Sequence, residues 1–131
     1  MTDPMQLMRM LQFADSAFPI GSFAFSDGLE TAVSEGLVAD AETLADYTDA
    51  IVRRTAHTDA VAALHAARSC RRGDYAAVCE ADRALLRTKL NDEARQMQQR
   101  TGRKLTELAA ALFDDPLLMQ WHADVRAERT P

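Results

Sequence analysis

The chain lacks the landmarks by which a short sequence usually declares an activity. It has no GxxxxGK[ST] phosphate loop, no HExxH helix, no GxSxG turn and no paired zinc-ligand spacing. Phosphate-loop nucleotide hydrolysis, zinc-dependent hydrolysis and serine-nucleophile acyl transfer therefore lose their usual signatures. No apolar run approaches the ~18 residues of a membrane span. The opening MTDPMQLMRM lacks the basic end, long apolar stretch and cleavage site of a secretory leader. Cysteine is scarce: Cys70 and Cys79 fall in helical sequence without a CxxC pair. Reduced thiols in a cytoplasmic chain, both acting as small buried hydrophobes, are the expectation. The histidines His57, His65 and His122 never stand four residues apart. His57 and Asp59 could share an ion, with His65 further along, so a small helical nickel-binding protein is one alternative. With no nucleophile, base and oxyanion donor set in view, the chain reads as a non-enzyme without a cofactor or metal site.

What is present is ordinary in bulk. The 131 residues suit one domain, 1–131, with a real core. A net charge of −5 speaks against bulk binding to nucleic acid or anionic membrane. Apolar residues recur with the 3.6-residue period throughout, and no segment alternates convincingly as a strand. The expectation is an all-α bundle of about seven helices. Asp3–Pro4 starts the first, which is apolar over much of its girth and so is expected to be central. Asp27 caps the second, with Glu30 completing a D-x-x-E box, and Gly36 ends it with Leu37 or Val38 folding back. Asp40, Asp74, Asn91 and Asp115 cap later helices, with a break near His57–Asp59 and a stop at Gly73. No repeat emerges, which disfavours a tetratricopeptide-like scaffold as a second alternative.

The segment Asp15–Glu30, DSAFPIGSFAFSDGLE, is the exception. With Phe13, Phe18, Phe23 and Phe25, four of the five phenylalanines crowd around Pro19, Gly21 and Gly28. Proline and glycine forbid a continuous helix here, so this is an aromatic-rich joint between two helices.

That joint closely resembles the N-terminal signature of the urease accessory protein UreF family. The family runs a first helix into a "DS-hydrophobic-P-hydrophobic-G" turn, an aromatic pair, "GLE", and a helix ending at "EG". The corresponding residues are Asp15, Ser16, Phe18, Pro19, Ile20, Gly21, Phe23, Gly28, Leu29, Glu30, Glu35 and Gly36. EARQMQQRTGRKLTEL, from Glu93 to Leu108, resembles the family's helix with a central glycine. Members are usually considerably longer, so the chain reads as the N-terminal half or so, with apolar faces that further helices would cover. The resemblance implies a non-catalytic adaptor for nickel insertion into urease. It implies bridging of UreD (also called UreH) and the GTPase UreG, and through them the urease apoprotein. Modulation of the GTPase, and assembly as a homodimer, are further implications.

Each candidate contact has a plainer reading beside it. Phe18, Pro19, Ile20, Gly21, Ser22, Phe23 and Phe25 are either a partner-facing patch or a plug for the bundle end. Glu30 is either a capping-box residue or a carboxylate offered to a partner. Arg95, Arg100, Arg103 and Lys104 form either a basic stripe for an acidic partner or a solvated face. Gly102, costing ~1 kcal/mol in a helix interior, points to close backbone approach by another helix or a partner.

Overall fold

The computed structural model describes residues 3–22 and 26–131. Among these are seven α-helices and no strand: α1 (Pro4–Ala14), α2 (Leu29–Ser34), α3 (Ala41–His57), α4 (Asp59–Arg71), α5 (Tyr75–Arg87), α6 (Asp92–Leu112) and α7 (Pro116–Arg126). The fold is all-α, as its periodicity requires.

Most helix starts follow from single side chains. The Asp3 carboxylate accepts from the Met5 N–H at 3.0 Å, with Pro4 at the first helical position. Asp40 and Thr43 form a reciprocal box at the head of α3. Asp74, Asn91 and Asp115 accept from the first-turn amides of α5, α6 and α7. Such caps satisfy donors that the helix itself leaves open. At the end of α2, Gly36 takes φ +74°. There the Gly36 and Leu37 N–H groups donate to Val33 and Ala32, and Val38 is the residue that turns inward.

The most extensive helix pairing is α4 with α5, followed by α6 with α7 and then α3 with α4. The break between α3 and α4 falls at Thr58, whose single hydroxyl proton is shared between the Asp59 carboxylate at 2.7 Å and the Arg54 carbonyl at 2.9 Å. Lys89 reaches the same carboxylate at 3.0 and 3.1 Å. Burial works against the Asp59 charge, but hydrogen bonds from Thr58 and Lys89 outweigh it and hold the carboxyl below the usual aspartate range.

Buried side chains on α5, α6 and α7 include Val78, Cys79, Thr106, Ala109 and Val125, joined by Ser69 of α4 and Ala32 of α2. Two polar links tie α5 to the end of the chain. Tyr75 donates its hydroxyl to Asp124 at 2.7 Å, and Thr130 donates to Asp82 at 3.4 Å. Burial pushes the Asp82 carboxyl above its ordinary range, and the Thr130 bond offsets this only in part. The Trp121 indole N–H, buried without a closed hydrogen bond, lies near the same carboxylate and also favours its charged form.

A carboxyl whose pKa is higher in the fold than in the unfolded chain stabilises while protonated. Its contribution is complete below about pH 3.9 and is lost as pH rises through the raised value. Asp82→Asn should therefore raise stability at pH 7, with the gain vanishing near pH 4. Urea unfolding of both forms across that range measures it.

Two expectations are corrected. The first helix is not central: no residue of α1 is buried, and Met8, Met10 and Leu11 are 60–65% exposed. An all-round apolar helix is buried only where neighbours reach every side, and α1 is anchored mainly by Phe13 near its end. Cys79 is buried as expected, but Cys70, in the last turn of α4, is exposed.

Candidate interaction surface

Between α1 and α2 the backbone folds through consecutive tight turns. The Asp15 side chain accepts from the Ala17 N–H at 2.9 Å, and its carbonyl accepts from Phe18 at 3.0 Å. The Ile20 N–H then donates to Phe18 at 2.7 Å, a three-residue turn centred on Pro19. Gly21 follows at φ +81°. Phe23 and Phe25 lie outside the described residues, so the two readings of those rings stand as the sequence left them.

Phe18 takes the inward position. It is 9% exposed, and its ring centroid lies 4.6 Å from Phe13, which in turn lies 5.3 Å from Phe113. This tilted aromatic run fastens the joint and α1 to the end of α6, with the Arg9 guanidinium over the Phe113 ring at 4.9 Å. Ile20 and Ser22 are half-buried, while Pro19 and Gly21 are exposed.

The head of α2 differs from the expected capping box. Gly28, at φ +92°, holds the N-cap position, and no side chain caps the helix. Asp27, at φ +54°, faces α3 instead: its carbonyl accepts from the Tyr47 hydroxyl at 2.8 Å and its carboxylate pairs with Arg54 at 2.5 Å. A Cβ on Gly28 would stand 3.1 Å from the Tyr47 hydroxyl, a second constraint beside the positive φ. With Asp27 engaged elsewhere, Glu30 completes no box. It is exposed in the first turn of α2, with no hydrogen bond or ion pair among the described residues.

The α6 cations divide by role. Arg95 is half-buried, pairs with Asp92 at 3.2 Å, and donates to the Lys89 and Leu90 carbonyls. It thereby stitches the α5–α6 connection. Lys104 pairs with Glu107 at 2.9 Å. Arg103 is exposed, and its side chain makes no bond among the described residues. Gly102 has open space where a Cβ would stand, so no helix among the described residues approaches it closely.

Among the described residues no three of His, Cys, Asp and Glu gather as metal ligands. The Asp59 oxygens, one half of the His57–Asp59 alternative, are occupied by Lys89 and Thr58. His57 holds the Arg53 carbonyl through Nδ1 at 2.7 Å.

A family model for UreF matches residues 38–131, which span α3 to α7 and the residues beyond. The chain belongs to the UreF family. Urease accessory protein UreF 2 of Brucella canis is 44% identical over 125 residues, covering 95% of this chain and 51% of that protein. Urease accessory protein UreF of Photorhabdus laumondii is 36% identical over 124 residues, covering 95% and 54%. That of Yersinia enterocolitica is 34% identical over the same length, with the same coverage. The chain spans about half the length of the curated relatives it matches. No solved structure gives a significant match.

The UreF match begins at Val38, beyond the joint, whereas the pairwise similarities extend over 95% of the chain. In this UreF-family chain the Asp27–Tyr47–Arg54 clasp escaped sequence reading, because Asp27 and Arg54 stand 27 positions apart with no local signal linking them. Gly102 carries its own test. Alanine there meets nothing, so Gly102→Ala should stabilise the helix by up to ~1 kcal/mol in a thermal melt.

Proposed function

We propose that this chain acts as a non-catalytic adaptor in urease maturation. In this reading it assists nickel insertion by bridging UreD/UreH and the GTPase UreG, modulates that GTPase, and works in the cytoplasm within a dimeric assembly. Nickel is the cargo of the process and not a ligand of this chain. Membership of the UreF family supports the reading, as do relatives named urease accessory proteins.

The observation that carries it furthest is Glu30. A solvated carboxylate at a helix start, with no partner among the described residues, is available for a contact outside the chain. It is also well placed electrostatically, because the helix N-terminus favours a negative charge there. In this reading Pro19, Ile20, Gly21, Ser22, Phe23 and Phe25, which precede it in the sequence, take part in the same contact. Arg103 and Gly102 supply a second contact on α6.

Glu30→Gln tests this directly. Since Glu30 completes no capping box, the change should leave stability within ~0.5 kcal/mol of the parent. Urease maturation in cells supplied with the variant should fall. Normal maturation with normal folding would remove Glu30 from the interface.

A further inference from the structure

A helix of six residues does not persist unaided, because fixing its first turn costs more freedom than so few bonds offset. α2 is such a helix, no side chain caps it, and Ala32 is its one buried residue. Its start is shaped instead by the turn from Ser26 to Leu29, where the Leu29 N–H donates to the Ser26 carbonyl at 3.0 Å. Both central residues have positive φ, Asp27 at +54° and Gly28 at +92°, the pattern of a type I′ turn. Glycine takes such a φ freely, whereas aspartate takes it less readily.

Asp27 is fixed from α3 at two points. The Tyr47 hydroxyl donates to its carbonyl at 2.8 Å, and the Arg54 guanidinium meets its carboxylate at 2.5 Å. Tyr47 and Arg54 stand two turns apart on one face of α3, so a single rigid element presents both. The Tyr47 hydroxyl also closes the space beside Gly28, where a Cβ would stand 3.1 Å from it. An exposed ion pair holds little by itself, and Asp27 and Arg54 keep about half of their side-chain surface in water. Joined to the Tyr47 bond, it restrains the backbone and the side chain of the same residue.

We propose that Tyr47 and Arg54 are positioning residues: acting through Asp27, they hold the first turn of α2 and so place the Glu30 carboxylate for contact with a partner. Only Gly28 and Leu29 separate Glu30 from Asp27. A group already held in place loses little freedom when its partner arrives. The clasp thus supplies the ordering that a capping side chain would otherwise give the helix start. The contact itself rests on the adaptor reading, whereas the ordering of α2 is measurable in the chain alone.

Hydrogen exchange on the whole chain reads that ordering. Tyr47→Phe, which removes one hydroxyl, should quicken amide exchange in Leu29–Ser34 by about fivefold, the scale of one hydrogen bond, with α4 and α5 unchanged. Arg54→Gln should act in the same direction, and Arg54→Lys, which keeps the charge, should restore part of the protection. Arg53→Gln, whose partner Asp49 lies on α3 itself, should change nothing in α2. Binding of UreG in the presence of UreD/UreH then tests the route. Tyr47→Phe should weaken it by up to about the same fivefold in the parent. In a Glu30→Gln background it should weaken it no further, because a positioning residue has no effect once the group it positions is gone. Unchanged exchange in α2, or losses from Tyr47→Phe and Glu30→Gln that simply add, would overturn the proposal. Absence of UreG binding in every form would remove the adaptor reading and with it the contact, while the exchange result would still decide whether the clasp orders α2.

Discussion

Phe18→Ala should lower the unfolding free energy by about 3–5 kcal/mol, the range for removing a well-buried phenylalanine. Phe18 is the middle support of the joint: it is 9% exposed and stacked on Phe13, which carries the contact on to Phe113. Because α1 has no buried residue of its own, loss of this ring should also loosen α1, leaving it the Phe13 and Arg9 contacts to Phe113. Amide exchange in Pro4–Ala14 should then quicken more than that of α4 and α5. Urea unfolding gives the first quantity and hydrogen exchange the second. A change below about 1 kcal/mol would mean that the aromatic run does not anchor α1.

The second large effect is expected on binding. Phe23→Ala or Phe25→Ala should weaken association with the accessory partners by about thirtyfold, the scale of losing a central interface anchor of about 2 kcal/mol. Helix content and melting temperature should stay near those of the parent. If these rings instead plug the bundle as Phe18 does, both variants should lose about 3–5 kcal/mol of stability, and binding should decline only as the chain unfolds. Measuring the melt and the affinity on the same samples separates the two.

The parts of this fold that were legible in the sequence are the locally determined ones. Asp3, Asp40, Asp74, Asn91 and Asp115 each cap a helix within a few residues of themselves, and Gly36 and Gly73 end helices at positive φ. A capping side chain, a proline or a glycine acts within one turn, so its signature lies in consecutive residues. Where the outcome depended on a distant residue, local reading went astray. Asp27 has the composition of an N-cap, but Tyr47 and Arg54 on α3 engage it, and Gly28 takes the cap position. The apolar girth of α1 suggested a central helix, yet burial depends on what surrounds it, and α1 is held through Arg9 and Phe13 alone among its aromatic contacts. The same holds for the candidate surface. The joint announced itself through its phenylalanines, Pro19 and its glycines, whereas the Asp27–Tyr47–Arg54 clasp joins residues from separate segments and left no local trace.

The central claim is that this chain is an adaptor that joins urease accessory proteins without catalysing a step itself. The most direct measurement is co-purification of the tagged chain with UreD/UreH and UreG, singly and together, with the masses of the recovered complexes determined. The account predicts that UreD/UreH and UreG are recovered in one complex through this chain, and that Glu30→Gln selectively reduces the UreG share. Recovery of neither protein by a folded chain, or a UreD/UreH–UreG complex that forms equally well without it, would contradict the account.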